Sequence, residues 1–413
     1  MVDTITVLFV DDEPAILRGL ERQMLTMAAG SDFFAKMNRL YAGNAAEALD
    51  MMAQTNCDIV VADMRMPGMD GAALLQVVKN KYPQTVRIIL SGYTDGGDKL
   101  LTTGLAHQYL AKPCDPEILH TMLQGICHLR SMLHNDGLKK ILAQMSTVPS
   151  LPKLYWNIMR EIQSPNSSLK RVGKIVSQDS GMTAKILQLV NSAYFGLPQQ
   201  VTTAAQAVVL LGLDTIKALM LSVHIFTQFE QQLLKNNFSL QEFQTHTLTV
   251  AALARCIARQ QGADQQTTDI AFTAGILHDV GKLLLICNLS EQYHWARSMA
   301  QRRRLLPVEA EQHVFNTTHA VVGAYLLNLW GLPHPIVETV AYHHNPGDSL
   351  HRQFTPLTAV HVANAWCYQL QATSEDYRLP QLDMAYLEQL GLLNQLPVWE
   401  TSCSNLLSQD FSE

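Results

Sequence analysis

The chain has 413 residues, a formal net charge of −6, and a composition that is 47% hydrophobic and 16% charged. That length exceeds one ordinary hydrophobic core and predicts two or three domains. The composition excludes a disordered tail protein, and the mild acidity gives no electrostatic footing for nucleic-acid binding.

The stretch Met1 to Val10 lacks a basic leading region and runs into acids at Asp11, so it does not read as a secretory signal. No apolar stretch reads as long enough to span a bilayer. The seven cysteines form no C-x-x-C pair and no zinc or disulfide spacing. Such scattered thiols point to a reducing compartment, and a cytoplasmic location is expected.

Short apolar runs at Ile5–Val10, Met37–Ala42, Asp58–Ala62, Val86–Leu90 and His107–Leu110 read as strands. Amphipathic stretches at Ala45–Ala53, Ala72–Lys81 and Asp98–Gly104 lie between them and read as helices. This alternation predicts parallel βαβ units in a doubly wound, flavodoxin-like, five-stranded sheet. From about Glu117 the strand pattern stops. Glu117–Leu133 reads as a helix, and Asn135-Asp136-Gly137 as a break.

Beyond the break the period is helical. Val172, Ile175 and Val176 share a face, as do Met182, Ile186, Leu189 and Val190, with Asp179-Ser180 able to cap the second helix. The basic run Arg302-Arg303-Arg304 reads as a solvated helix face. After about Leu370 one more helix is expected at Leu382–Leu390, followed by a loose terminus. The division is thus an α/β domain at 1–128, a helical linker at 129–145, an all-α domain at 146–350 and a helical extension at 351–413.

In the α/β domain, chemistry-bearing residues follow the strands. Asp11 and Asp12 follow the first, Asp63 the third, Ser91 the fourth and Lys112-Pro113 the fifth. A doubly wound sheet gathers such residues at its carboxyl edge. Three carboxylates there need a cation, and oxygen-only ligands suit Mg²⁺. Asp63 then reads as a nucleophile for phosphorus, Lys112 as a charge for the phosphoryl oxygens, and Ser91 as a hydrogen-bond donor to them. Asp-Asp before Glu-Pro also reads as a plain helix N-cap.

The segments Val10-Asp11-Asp12, Asp58 through Gly71 (DIVVADMRMPGMDG), Ser91-Gly92 and Tyr109-Leu-Ala-Lys112-Pro113 resemble receiver domains of two-component response regulators. The resemblance implies that Asp63 accepts phosphate from a sensor histidine kinase. It implies Mg²⁺ held by Asp11, Asp12, Asp63 and the backbone carbonyl of Arg65, and a switch pair made of Ser91 and Tyr109.

The helical half is similar to the HDOD family over about 146–350. The likeness rests on Val148-Pro-Ser-Leu-Pro152, Ile175-Val-Ser-Gln-Asp179, Leu187 through Gly196 (LQLVNSAYFG), Ala207 through Gly212 (AVVLLG) and Gly275-Ile-Leu-His278-Asp279-Val-Gly-Lys282. That family is related to HD-type metal phosphohydrolases and serves mainly in signalling. His246, His278 and Asp279 match the first three HD ligands. His319 and the pair His343-His344 resemble the extra ligands of the two-metal HD-GYP branch, which hydrolyses cyclic di-GMP. The last HD aspartate is replaced by Asn364, a neutral and poorer ligand. Asn345-Pro346-Gly347-Asp348 lacks the Gly-Tyr-Pro of the phosphodiesterases.

The resulting expectation is a response regulator whose output is protein–protein signalling without turnover, toward an unidentified downstream protein. Neither nucleic acid nor membrane is expected as a partner, and homodimerisation on phosphorylation is. A transition metal in a vestigial HD site is the cofactor expected beside Mg²⁺, and a receiver-gated phosphodiesterase is the alternative.

Overall fold

The structure, a computed structural model, describes residues 5–30, 32–82, 85–91, 105–106, 108–112, 116, 119–120, 123, 137–138, 141, 152–162, 168–195, 199–236, 238–349, 351–370 and 378–410. The chain divides into two compact units. The first is built largely from the N-terminal 143 residues and the second largely from Leu154 onward.

The first unit runs β1 (Thr6–Val10), α1 (Pro14–Gly30), α2 (Asp32–Ala35), β2 (Asn38–Ala42), α3 (Ala45–Gln54), β3 (Ile59–Asp63), α4 (Gly71–Lys81), β4 (Val86–Ser91) and β5 (Gln108–Ala111). The strands form one parallel sheet in the order β2-β1-β3-β4-β5. Both β1 and β3 are buried along their whole length. Their unbroken apolar runs are what a parallel sheet covered on both faces requires. Asn44 caps α3 by accepting from Glu47 N–H, and Asp70 caps α4 by accepting from Ala73 N–H, each satisfying an orphan amide of the first turn. The strand order reverses between β1 and β3, so Asp11 and Asp63 leave neighbouring strands at one level, Val10 standing opposite Ala62.

The second unit is all-helical: α5 (Lys153–Ile162), α6 (Leu169–Val176), α7 (Ser180–Val190), a 3₁₀ turn (Ala193–Phe195), α8 (Ala204–Lys235), α9 (Leu240–Gln260), α10 (Gln265–Leu277), α11 (Val280–Asn288), α12 (Ser290–Arg303), α13 (Pro307–Phe315), α14 (His319–Leu329), α15 (His334–Tyr342), α16 (Pro356–Leu370), α17 (Met384–Gln389) and α18 (Leu396–Asp410). Asp179 caps α7 through Met182 N–H at 2.9 Å. A capping box of Thr203 and Gln206 opens α8, which is interrupted at Gly212 (φ 78°). Helix α9 runs through the centre, packed on α10 and α16. Gly275 permits this closeness, since a Cβ there would lie 2.6 Å from Ala251 Cα.

Two expectations need correction. The C-terminal region does not end loosely after one helix. Helix α18 follows, with Trp399 fully buried and Cys403 2% exposed. Its apolar residues are diluted by polar ones, which hid the period. Two helical stretches, Ala204–Lys235 and Gln265–Asn288, are in fact long and apolar enough to span a bilayer. Over their most apolar windows 56% and 83% of residues are buried inside the unit, the pattern of helices that build a protein core. The Arg302–Arg304 run is exposed at the C-terminal end of α12, where positive charge complements the helix dipole.

Candidate functional site

At the carboxyl edge of the sheet, Asp11 and Asp63 are buried and Asp12 lies nearer the surface. One oxygen from each falls within 4.8 Å of the others. Lys112, leaving β5, places Nζ 2.7 Å from Asp11 Oδ2 and 2.6 Å from Asp63 Oδ1. The Arg65 N–H donates to Asp63 Oδ2 at 3.2 Å, so the Arg65 peptide sits beside the acceptor. Gly71 backs it, because any Cβ at that position would overlap the Asp63 carbonyl.

Burial raises the Asp63 pKa and Asp11 raises it further, while Lys112 and the Arg65 amide pull it down without cancelling the rise. Burial also works against the charge on Lys112, but its bonds to Asp11 and Asp63 outweigh it and raise its pKa. One lysine thus leaves three clustered carboxylates under-compensated. The donor set is oxygen-only and acidic, which fits a hard divalent cation such as Mg²⁺. Ser91 ends β4 and Tyr109 lies in β5. Their side chains lie outside the described residues, as do Pro113, the expected helix Asp98–Gly104 and most of Glu117–Leu133.

The helical unit gathers a second cluster around one carboxylate. Asp279 sits 1% exposed at the junction of α10 and α11. Its Oδ2 lies 3.6 Å from His246 Nε2, 3.4 Å from His278 Nε2 and 2.6 Å from Lys282 Nζ. Its Oδ1 lies 3.1 Å from His319 Nε2 and 3.8 Å from His343 Nε2. His344 joins through His319, Nε2 to Nε2 at 3.1 Å. The result is two adjoining donor sets, His246/His278/Asp279 and Asp279/His319/His343/His344, sharing the carboxylate.

The outer hydrogen bonds fix the rings. His278 Nδ1 bonds the Gly275 carbonyl at 2.7 Å, and His343 Nδ1 bonds the Val340 carbonyl at 2.8 Å. A carbonyl only accepts, so each Nδ1 carries the proton and, in the neutral ring, Nε2 presents a lone pair inward. The 3.4 and 3.8 Å separations from Asp279 exceed an ordinary N–H···O bond. Burial, His278 and His319 together push the His343 pKa well down, and burial with His343 and His319 does the same for His344. Bare imidazole nitrogens around a carboxylate fit a transition metal such as Zn, Mn or Fe. Burial opposes the charge on Asp279, but His278, Lys282 and His319 outweigh it and hold the carboxyl well below its ordinary range.

Asn364 is buried on α16, one turn after His361 and one turn before Tyr368. Its Oδ1 makes no hydrogen bond among the described residues. His313 is exposed and His334 stands 4.0 Å from Glu338, away from the cluster.

Sequence reasoning missed two contributors. Lys282 pairs with Asp279 and also donates to Tyr368 OH at 3.1 Å. Its signal was its place three residues after Asp279 at a helix start. Glu311, 2% exposed, takes both the backbone N–H and Nδ1 of His319, at 2.8 and 2.6 Å. That role fixes ring orientation as a carboxylate behind a metal-type histidine does, and nothing local marks it. A cleft of about 1050 Å³ reaches the cluster at His246, Asp279 and Lys282, walled in part by Tyr293, Arg297 and Tyr368.

The response regulator receiver domain family matches residues 7–124, and the HDOD domain family matches 148–346. The chain joins a receiver domain to an HDOD domain. An HDOD domain protein of unknown function from Geobacter sulfurreducens superposes with a TM-score of 0.53 at 19% identity, covering 68% of this chain and 98% of that chain, a likeness that speaks for the fold. An uncharacterized protein of Treponema pallidum is 26% identical over 202 residues, 49% of this chain and 38% of its own length. The nitrate/nitrite response regulator protein NarP of Escherichia coli is 33% identical over 115 residues, 27% of this chain and 50% of NarP. The chain thus spans half or less of the length of these curated relatives.

Proposed function

We propose that phosphoryl transfer from a histidine kinase to Asp63 switches a non-catalytic HDOD signalling domain. The observation that carries this reading is Lys112 Nζ, at 2.6 Å from Asp63 in a buried cluster with Asp11 and Asp12. An Asp63 oxygen attacks the phosphorus of a phosphohistidine. The P–N bond breaks and the departing imidazole takes up a proton. Lys112 faces the incoming phosphoryl oxygens as a fixed positive charge. Mg²⁺, held by Asp11, Asp12, Asp63 and the Arg65 carbonyl, would offset charge on the transferring group.

The aspartyl phosphate adds up to two negative charges and three acceptor oxygens. Ser91 then moves toward them and Tyr109 fills the space it leaves, a two-state element that an output domain reads. The domain limits 1–128, 129–145, 146–350 and 351–413 belong to this reading. So do a cytoplasmic setting, a downstream protein partner and a dimer formed on phosphorylation.

The HDOD cluster is proposed to hold a transition metal without turnover, through His246, His278, Asp279, His319, His343 and His344. Asn364 in place of an aspartate removes one compensating charge and supports a non-catalytic role. The experiment uses the full chain with acetyl phosphate. The wild type is expected to take up phosphate in Mg²⁺ and not in EDTA, and Asp63→Asn to take up none. Labelling of Asp63→Asn at the wild-type, Mg²⁺-dependent rate overturns the acceptor assignment. Cyclic di-GMP hydrolysis that Asp279→Ala abolishes overturns the non-catalytic one.

A further inference from the structure

His361 stands on α16 and is 3% exposed. Both of its ring nitrogens are engaged with main chain. Nδ1 bonds the His343 carbonyl at 2.8 Å, and Nε2 takes the Asp383 N–H at 2.9 Å. A carbonyl only accepts and an amide N–H only donates, so the ring is neutral and carries its proton on Nδ1. One imidazole thus joins two backbone segments that are distant in the chain.

Each end of this bridge has a further role. His343 closes α15 as its C-cap, next to His344, and both rings belong to the donor set around Asp279. Asp383 is the N-cap of α17, where its Oδ1 accepts the Tyr386 N–H at 3.0 Å. The Tyr386 hydroxyl pairs at 2.7 Å with that of Thr358, one turn before His361 on α16. The turn after the histidine pair (Pro346–Asp348) lies against the same cap, since a Cβ on Gly347 would stand 3.4 Å from Asp383 Oδ2.

We propose that His361 is a positioning residue through which metal occupancy of the HDOD cluster and the seating of α17 stabilise each other. The proposal rests on the reading of that cluster as a metal site. The His343 ring is oriented from one side by its bond to the Val340 carbonyl. Its Nε2 makes no hydrogen bond among the described residues, so ligation there adds an anchor and displaces none. With Nε2 ligated, the ring is fixed, and the carbonyl of the same residue is fixed with it. His361 holds that carbonyl. A shift of the carbonyl tilts the His361 ring and lengthens its bond to the Asp383 N–H. Coupling of this kind is reciprocal: the factor by which a seated α17 favours the metal is the factor by which the metal favours a seated α17. Helix α17 bears Met384, 50% exposed. Occupancy of a buried cluster is thereby carried to a surface element.

The test is hydrogen–deuterium exchange of the full chain, read by mass spectrometry with and without Co²⁺. Mg²⁺ is present throughout to fill the receiver, and uptake by the imidazole cluster is followed by the visible absorption of Co²⁺. In the wild type, Co²⁺ should slow exchange in peptides spanning Asp383–Leu390 about ten-fold. His361→Phe keeps the bulk of the ring and removes both bonds. It should still take up Co²⁺, with an affinity about ten-fold lower, and show no slowing at Asp383–Leu390. Loose packing alone would speed exchange equally with and without the ion, whereas loss of the bridge abolishes the difference between them. Wild-type Co²⁺ uptake with unchanged exchange at Asp383–Leu390 overturns the coupling and leaves the metal reading standing. Slowing in His361→Phe equal to the wild type overturns the role of His361. Absence of Co²⁺ absorption in the wild type overturns the metal reading and the coupling together. The wild-type comparison decides the coupling even where the variant does not fold.

Discussion

The receiver and the HDOD domain each bury a carboxylate beside a lysine, but the two carboxylates stand on opposite sides of their ordinary pKa. In the receiver, Asp63 shares one lysine with Asp11, and the net effect of burial and crowding is upward. In the HDOD domain, Asp279 has a lysine of its own with His278 and His319 beside it, and the net effect is downward despite deeper burial. The first site is short of positive charge and the second already holds it. The same substitution, carboxylate to amide, should therefore act with opposite sign at the two places.

The largest effect is expected at Asp279→Asn. Removing its charge leaves Lys282, 12% exposed at its side chain, without the ion pair that offsets its burial. Breaking a buried pair in this way costs roughly 3–5 kcal/mol. A depressed folded-state pKa stabilises above the unfolded value, here 3.8, and that contribution fades as pH falls through the folded pKa. Urea unfolding in EDTA should show the loss in full at neutral pH and a narrowing gap below pH 4. An equal gap at pH 3 and pH 7 would break the comparison on the HDOD side.

A middle-sized effect tests how that site is assembled. Its ligands come from five helix ends or faces, so helix spacing sets their convergence. Helix α11 crosses α14 at Gly281, where any Cβ would overlap the His319 carbonyl. Gly281→Ala should cost about 1–3 kcal/mol by overpacking and should lower cobalt uptake by the HDOD cluster. Phosphate labelling of the receiver should stay at the wild-type level. Unchanged cobalt binding would show that the cluster does not depend on this crossing.

How legible each site was in the sequence follows from the same contrast. The receiver acids each stand one step past an apolar run, so strand pattern and parallel order bring them together, and the boundaries differ by a residue or two. Asp11 and Asp63 meet because Val10 pairs with Ala62, which the order of strands already implies. In the HDOD domain, His278-Asp279 announces itself as a doublet. Glu311 does not. It sits eight residues from His319, on a helix where a glutamate is ordinarily solvated, and only the packing of α13 buries it. Helix α18 escaped notice for a related reason. Trp399 and Cys403 mark its buried face, but Glu400, Ser402 and Ser404 dilute the period. Local signals carry residues held by strand ends. They do not carry residues held by contacts between distant helices.

The smallest effect, and the sharpest test of sign, is the stability of Asp63→Asn without divalent cation. The ionised carboxylate is disfavoured in the folded receiver, first by burial and then by Asp11. A raised folded-state pKa gives stability that is present below the unfolded value of 3.8 and lost as pH rises through the folded pKa. The wild type therefore weakens across that window, whereas the amide does not titrate. In EDTA, Asp63→Asn should unfold at a higher urea concentration than the wild type at pH 7, and the difference should shrink toward pH 3.5. Lys112 keeps Asp11 at 2.7 Å in the variant, so no buried charge is stranded as it is at Asp279. Adding Mg²⁺ should favour the wild type and reverse the order, because a ligand that binds the folded state stabilises it and the amide is the poorer oxygen donor. Were Asp63→Asn less stable than the wild type in EDTA at every pH, Lys112 would be supplying enough charge alone, and the receiver cluster would have no need of a cation.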